Sequence, residues 1–125
     1  MLLDTNAISA IGEKDEAIMG ILAEAEAIML PFAAIAEFRF GLLGSTRPEP
    51  GLLLLERLAE SAGICFPDAE TLAHYAWISD HLKRKGRPIP HNDIWIASLA
   101  RQHSLEILSR DTHFDHIAGI VRISW

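Results

Sequence analysis

Met1-Leu2-Leu3-Asp4-Thr5-Asn6 is the stretch that decides how the rest of the chain is interpreted. Two leucines lead to a carboxylate, two polar residues follow, and an apolar pattern resumes at Ala7-Ile8-Ser9-Ala10-Ile11. This order is typical of a buried strand that ends at Asp4 and turns sharply into a helix. In open α/β sheets, ligands bind beyond the carboxyl ends of the strands. We therefore expect Asp4 to point into such a crevice.

The composition predicts one well-packed domain over residues 1–125. Half of the 125 residues are hydrophobic and 22% are charged, which suits a single core and argues against disorder. The 17 acidic and 11 basic residues give a net charge of −6, which argues against binding to nucleic acid mainly by bulk charge. A nucleic-acid enzyme stays open, because metal ions bound by acids supply positive charge.

The sequence favours a cytoplasmic protein that does not enter a membrane. Its one cysteine, Cys65, lies in a short apolar run and is expected in the core, in a reducing compartment. No basic residue precedes the first apolar run, so we do not expect a secretion signal. No uncharged run approaches the roughly 20 residues of a membrane span.

Short apolar runs alternate with helical patterns along the chain. Strands are expected up to residue 4 and over residues 27–31, 64–66, 105–109 and 120–125. Helices are expected near residues 7–11, from 14–16, over 32–44, from 52 to about 63, over 69–85 and from 92. This alternation predicts an α/β fold, a three-layer α/β/α domain with a central parallel sheet of four or five strands.

Capping residues set the expected limits of two helices. Asp68 is expected to cap the helix over 69–85, whose apolar side includes Leu72, and Gly86 is expected to end it. His91 or Asn92 is expected to cap the helix that follows.

Four acids are candidates for one site at the rim of this sheet. Asp4 ends the first strand, and Asp111 ends the fourth. Asp93 opens the helix before that strand, and Glu37 lies among small and apolar helical neighbours, which predicts a buried carboxylate. Each acid has an ordinary explanation, as a helix cap, a first-turn charge or a side chain that reaches water.

Four neighbouring carboxylates would stay ionised only around a cation. Two unit charges about 4 Å apart repel by roughly 4 kcal/mol at an effective dielectric of 20. An all-oxygen ligand set selects Mg²⁺ or Mn²⁺, ions that often serve phosphoryl chemistry. The sequence contains no glycine-rich phosphate loop, so we do not expect an enzyme that acts on nucleoside triphosphates. His113 and His116 have a spacing that can bind zinc, but no further soft ligands accompany them.

Four segments in order resemble the motifs of PIN domains, with the VapC-type toxins of type II toxin–antitoxin systems as the most similar group. The segments are Leu2-Leu3-Asp4-Thr5-Asn6, Ala36-Glu37-Phe38-Arg39-Phe40-Gly41, Pro90-His91-Asn92-Asp93-Ile94-Trp95-Ile96-Ala97 and Ser109-Arg110-Asp111-Thr112-His113-Phe114-Asp115-His116-Ile117. The resemblance covers the whole chain and implies an endoribonuclease that hydrolyses RNA with a water activated by Mg²⁺ or Mn²⁺. It also implies a homodimer and a cognate antitoxin, and the dimer and antitoxin together are expected to form a larger hetero-oligomer on DNA.

The resemblance also implies roles for single residues. The catalytic acids would be Asp4, Glu37, Asp93 and Asp111. Asp4, Asp93 and Asp111 are the expected direct metal ligands, and Glu37 would bind through water or orient the attacking water. The supporting positions would be Thr5, Asn6, Thr112 and Asp115. Asp115 would be either an extra ligand or a residue that caps or pairs.

Basic residues give a further set of candidates, for contact with the substrate backbone. These residues are Arg39, Lys83, Arg84, Lys85 and Arg87. The run at residues 83–87 is equally typical of a solvated helix end, and Arg39 is equally suited to a structural salt bridge.

Three functions remain compatible with the sequence. The first is a metal-dependent ribonuclease toxin. The second is a non-catalytic partner that binds an antitoxin and supports DNA-binding autorepression, with the acids receiving an antitoxin arginine. The third is a small phosphatase or a flap-type DNA nuclease with the same acidic pocket.

Overall fold

Short parallel strands form the centre of the computed structural model, which describes residues 1–125. The strands are β1 (Leu2–Leu3), β2 (Leu30–Pro31), β3 (Ile64–Cys65), β4 (Ile107–Leu108) and β5 (Arg122–Ile123). β1, β4 and β5 form one sheet and β2 and β3 another, with all pairs parallel. A parallel bridge between Leu2 and Met29 joins the two. The continuous order β3-β2-β1-β4-β5 confirms the predicted parallel sheet.

Six helices surround these strands, which confirms the α/β class. They are α1 (Thr5–Gly12), α2 (Glu16–Glu24), α3 (Phe32–Leu42), α4 (Glu49–Ala62), α5 (Ala69–Lys85) and α6 (His91–His103). A 3-10 helix spans Thr112–His116. α5 packs along α6, and α3 contacts α1, α4 and α6. None of these helices is both long and apolar enough to cross a membrane.

The limits of α5 agree with its capping signals. The Asp68 carboxylate accepts hydrogen bonds from the backbone N–H groups of Glu70 and Thr71. Gly86 follows the helix with φ +64°, in the left-handed region that glycine enters without a steric penalty. Leu72 was wrongly assigned to the buried side, since it is 58% exposed. The adjacent Thr71 is buried instead, because its hydroxyl bonds to Asp68 and Gln102.

Proline explains two helix starts that differ from the expectation. α4 begins at Glu49 rather than near residue 52, with Pro50 in its first turn, where a missing N–H costs nothing. α6 begins at His91, preceded by Pro90 in an extended conformation and without a side-chain cap. The prediction that His91 or Asn92 caps α6 was therefore wrong.

The core lies along the central strands and fixes the position of the rim. Leu2, Leu3, Ile107 and Leu108 are fully buried, and Cys65 is buried as predicted. Leu3 pairs with Leu108 across β1 and β4. Because these strands are parallel neighbours in this register, the residues that follow them emerge side by side at one edge of the sheet.

Candidate active site

Asp4 is the most buried acid at the carboxyl edge of the strands. Its residue is only 4% exposed. Its carboxylate accepts hydrogen bonds from the Thr5 backbone N–H (2.7 Å), Asn6 Nδ2 (2.9 Å) and Ser109 Oγ (2.6 Å). Burial raises the pKa of Asp4, and the negative charges of Glu37 and Asp111 raise it further, while the bonds from Ser109 and Thr5 lower it. Asp4 therefore caps α1 and also presents a carboxylate at the rim.

Ser109, which the sequence analysis did not select, connects three residues of the rim. Its fully buried hydroxyl donates to Asp4 and accepts from Asn6 Nδ2 (3.1 Å) and the Asp111 backbone N–H (2.9 Å). Asn6 also accepts a hydrogen bond from the Arg110 backbone N–H. The available signal was its place directly after a buried strand, beside the expected position of Asp4.

Asp93, Asp111 and His113 form the tightest cluster of possible ligands. One ligand atom from each lies within 4.8 Å of the others. His113 Nδ1 is 2.9 Å from Asp93 Oδ2 and 3.1 Å from Asp111 Oδ1. Asp111 also accepts from the His113 backbone N–H, so it caps the 3-10 helix. From the sequence, His113 was a candidate only for zinc binding with His116, whereas in the structure it lies between two acids.

Like charges and burial act together on Asp93. The residue is 7% exposed in the first turn of α6. Burial, assisted by the charges of Asp4 and Asp111, raises its pKa to about 6, although the bond from His113 lowers it. The same bond, with the neighbouring acids, raises the pKa of His113 above its usual value.

Glu37 reaches the same region but is exposed, so of the two expectations, a buried carboxylate and a side chain that reaches water, the structure shows the second. Its helical neighbour Phe40 is itself 75% exposed, so an apolar neighbourhood in α3 did not imply burial. Glu37 Oε2 accepts a hydrogen bond from Asn92 Nδ2 (3.3 Å), which connects α3 to the start of α6. A surface hollow of about 380 Å³ adjoins Glu37 and Thr5.

The other expected supporting residues occupy different environments. Thr5 Oγ1 is buried without a hydrogen-bond partner, and Thr112 is exposed at the start of the 3-10 helix. Asp115 forms a two-point ion pair with Arg122, at 2.7 and 2.8 Å, which holds its pKa below the usual value. Of the alternatives expected for Asp115, the structure therefore contains the ion pair.

The basic candidates lie near the ends of two helices, α3 and α5. Arg39 is exposed in the last turn of α3 and joins none of the ion pairs, so its salt-bridge alternative was wrong. Arg84 pairs with Asp80 on the surface of α5. Lys85 Nζ donates to the His116 carbonyl at 3.3 Å, beside the 3-10 helix. Lys83 and Arg87 are exposed near the same helix end.

A PIN domain family model matches residues 1–120. The chain belongs to the PIN domain family. Ribonuclease VapC1 of Haemophilus influenzae is 27% identical to this PIN domain over 129 residues, covering 99% of this chain and 96% of the relative. Toxin FitB of Neisseria gonorrhoeae is 34% identical over 122 residues, covering 90% and 88%.

Solved structures of toxin–antitoxin complexes share the fold of this PIN domain. A crystal structure of FitAcB from Neisseria gonorrhoeae superposes with a TM-score of 0.79 at 32% identity, covering 98% of this chain and 95% of that chain. A DNA-bound VapBC from Salmonella typhimurium gives 0.87 at 27% identity, covering 99% and 96%. The resemblance inferred from the four motifs is therefore confirmed.

The donor set of this PIN domain fits a hard divalent cation. Asp93 and Asp111 place carboxylate oxygens within 4.8 Å of each other and of a His113 nitrogen, and the charge of the nearby Asp4 acts on Asp93. Carboxylate oxygens suit Mg²⁺ or Mn²⁺. Burial raises the pKa of Asp93 most, and repulsion from Asp4 and Asp111 adds to it; a bound cation would relieve this repulsion. The unpartnered Thr5 hydroxyl adds a buried polar group beside Asp4.

Proposed function

We propose that this chain is one PIN nuclease domain over residues 1–125, a Mg²⁺- or Mn²⁺-dependent endoribonuclease acting as the toxin of a toxin–antitoxin pair. The observation that carries the proposal is the convergence of Asp4, Asp93 and Asp111 from distant parts of the chain on one rim. Burial raises the pKa of Asp93, and the charges of Asp4 and Asp111 raise it further. Relatives named as VapC ribonucleases support RNA as the substrate.

Three residues would hold the metal ion, namely Asp4, Asp93 and Asp111. A bound divalent ion supplies polarisation of the phosphodiester and lowers the pKa of water. Ser109 and Asn6 orient the Asp4 carboxylate, because they donate to it from fixed positions. His113 holds Asp93 and Asp111 at a short separation.

Glu37 is suited to receive the proton of the attacking water. Its Oε2 is held by Asn92, and the exposed carboxylate stands in reach of solvent. Water would attack phosphorus and pass a proton to Glu37. The bond from phosphorus to the leaving oxygen would break, and that oxygen would take a proton from solvent. Lys83, Lys85 and Arg87 would contact RNA phosphates beyond the cleaved bond.

Binding of an antitoxin is the second role that we propose, and it is compatible with catalysis. The net charge of −6 and the acidic rim suit a basic antitoxin segment that enters the site. Related structures are complexes of toxin with antitoxin, one of them on DNA. By this analogy the chain would form a homodimer and join a larger assembly with antitoxin on promoter DNA.

Cleavage assays on the purified chain test the enzymatic role. We expect structured RNA to be cut with Mn²⁺ and not with excess EDTA, and Asp4→Asn and Asp93→Asn to lose at least about 100-fold in rate. Glu106→Gln is the matched control, because Glu106 precedes β4 at the opposite edge of the sheet. Undiminished cleavage by Asp4→Asn would refute the proposal.

Two further substrates separate the remaining alternatives. Single-stranded and flapped DNA test a DNA nuclease, and a phosphomonoester tests a phosphatase. Preference for either over RNA would reassign the substrate. Antitoxin binding without cleavage of any substrate would leave only the binding role.

A further inference from the structure

Arg122 is a half-buried residue on β5 that contacts two parts of the rim at once. Its Nε and Nη2 donate to the two carboxylate oxygens of Asp115, at 2.7 and 2.8 Å. Its Nη1 donates to the backbone carbonyl of Ser109 at 3.1 Å. The side chain is only 15% exposed. This guanidinium therefore ties Asp115 to the backbone of Ser109.

Residues of β5 bind both backbone polar groups of Ser109, its N–H and its carbonyl. Its N–H donates to the Ile123 carbonyl at 2.9 Å, which continues the pairing of β4 with β5. Its carbonyl lies beyond the last pair of the ladder and accepts from Arg122 instead. With both backbone groups held, the Ser109 hydroxyl is directed at Asp4 and at the Asp111 N–H.

Asp115 is engaged in a geometry that leaves it poorly suited to bind an ion. Both of its oxygens receive N–H groups from the planar guanidinium of Arg122, an arrangement that is among the stronger charge-assisted contacts. A metal ligand at this position would have to give up these bonds. Asp115 instead fixes the orientation of the guanidinium that reaches Ser109.

We propose that Arg122 is a positioning residue for the Asp4–Ser109–Asp111 part of the rim, and that Asp115 orients Arg122 rather than binding metal. The functional part of this inference rests on the proposed metal-dependent activity. The structural part, in which Arg122 holds Ser109, does not depend on that activity.

Variants of the full chain distinguish the two assignments of Asp115. If Arg122 positions the rim, Arg122→Met weakens Mn²⁺ binding roughly 10-fold or more, with kcat for RNA falling and KM little changed. Arg122→Lys restores part of the loss, since lysine replaces the fork by one donor. Asp115→Asn has a smaller effect of the same sign. If Asp115 were a ligand, Asp115→Asn would weaken binding most, and Arg122→Met would leave it equal or tighter.

Arg101→Met is the matched control for removing a half-buried arginine. Arg101 lies at the far end of α6, where its Nη1 is 2.9 Å from His74 Nδ1 and its guanidinium covers Trp77. We expect its Mn²⁺ affinity and kcat to equal those of the unsubstituted chain. Equal values for folded Arg122→Met would overturn the proposal.

Amide exchange without metal tests the structural part separately. The Asp111 N–H donates to Ser109 Oγ, so Arg122→Met should speed its exchange roughly 10-fold relative to Arg101→Met. Unchanged exchange would overturn the positioning role even if RNA cleavage were normal. An unsubstituted chain that neither binds Mn²⁺ nor cuts RNA would instead refute the proposed function, and exchange would still decide the role of Arg122.

Discussion

The hydroxyl of Ser109 lies 2.6 Å from Oδ2 of Asp4, although the two residues are 105 positions apart. They meet because Leu3 pairs with Leu108 in the parallel register of β1 and β4, which brings the next residues of both strands to the same edge. Strand register therefore builds the part of the rim that holds Asp4, whose carboxylate is fixed by a hydrogen bond between strand ends. Asp93 enters from the first turn of α6 and is paired with His113.

Removal of the Ser109 hydroxyl should affect both stability and catalysis. Ser109→Ala deletes a donor to Asp4 and an acceptor for Asn6 and the Asp111 N–H. Buried groups that lose their partners cost roughly 1–3 kcal/mol, and a loss of outer support for a ligand lowers activity about 10- to 100-fold. Urea unfolding and RNA cleavage measure the two effects.

Ser98→Ala is the control for Ser109→Ala. Ser98 is also fully buried, but its hydroxyl donates only to the Ile94 carbonyl within α6. We expect unchanged cleavage for this variant. Equal activity of the two serine variants would contradict the positioning of Asp4 by Ser109.

Replacing Glu37 should affect cleavage without affecting stability. The residue is exposed and its one side-chain contact is the 3.3 Å bond from Asn92. Glu37→Gln keeps an acceptor for Asn92 but cannot take a proton, so we expect a loss of roughly 100-fold or more in kcat. The free energy of unfolding should change by no more than about 0.5 kcal/mol. Glu24→Gln, an exposed helical glutamate at the opposite edge, should retain full activity.

Without metal, the stability of the chain should fall as pH rises. The fold raises the pKa of Asp93 to about 6. At pH values between the ordinary pKa of an aspartate and about 6, the native state therefore binds more protons than the unfolded chain. Stability is lost as pH rises through this window. The raised pKa of His113 acts in the same direction at higher pH, since the imidazolium is favoured in the fold.

Denaturant unfolding in EDTA at two pH values measures this effect. From about pH 5 to pH 8, the unsubstituted chain should lose roughly 1 kcal/mol more stability than Asp93→Asn. Saturating Mn²⁺ should reduce the difference, because a cation replaces the protons. The change in the free energy of unfolding for Asp93→Asn is subtracted from that of the unsubstituted chain. A remaining gain in stability at the higher pH would contradict a raised pKa of Asp93.

Two glycines predict opposite effects of the same substitution. Gly86 has φ +64° after α5, so Gly86→Ala should destabilise the chain by about 1 kcal/mol. Gly20 lies inside α2 with nothing within 4 Å of an added Cβ, so Gly20→Ala should stabilise it by roughly 0.5–1 kcal/mol. Thermal unfolding of both variants measures whether each substitution raises or lowers stability. A change in the same direction for both would show that the left-handed conformation of Gly86 does not determine the effect of its substitution.

Periodicity and capping chemistry were sufficient for most of the fold. Asp68 and Gly86 bounded α5 because each acts on its own helix end, and short apolar runs marked the parallel strands. Helix starts at Glu49 and His91 were missed because proline occupies the flanking or first-turn positions there.

The site was predicted less completely, because its support comes from contacts between strand ends. The acids could be selected by their positions after strands and at helix starts. Arg122 and Ser109 could not, because their roles depend on the register of β4 with β5. Whether Glu37 is buried or reaches water could not be decided, because helical neighbours do not determine whether another element covers a helix face.

Mn²⁺ binding to the purified chain, measured by calorimetry, tests the central claim most directly. The account predicts saturable binding that Asp93→Asn and Asp111→Asn each weaken roughly 10-fold or more, while Glu106→Gln leaves it unchanged. Binding that is equal in all four proteins, or absent from the unsubstituted chain in the presence of RNA, would contradict a metal site made by these acids.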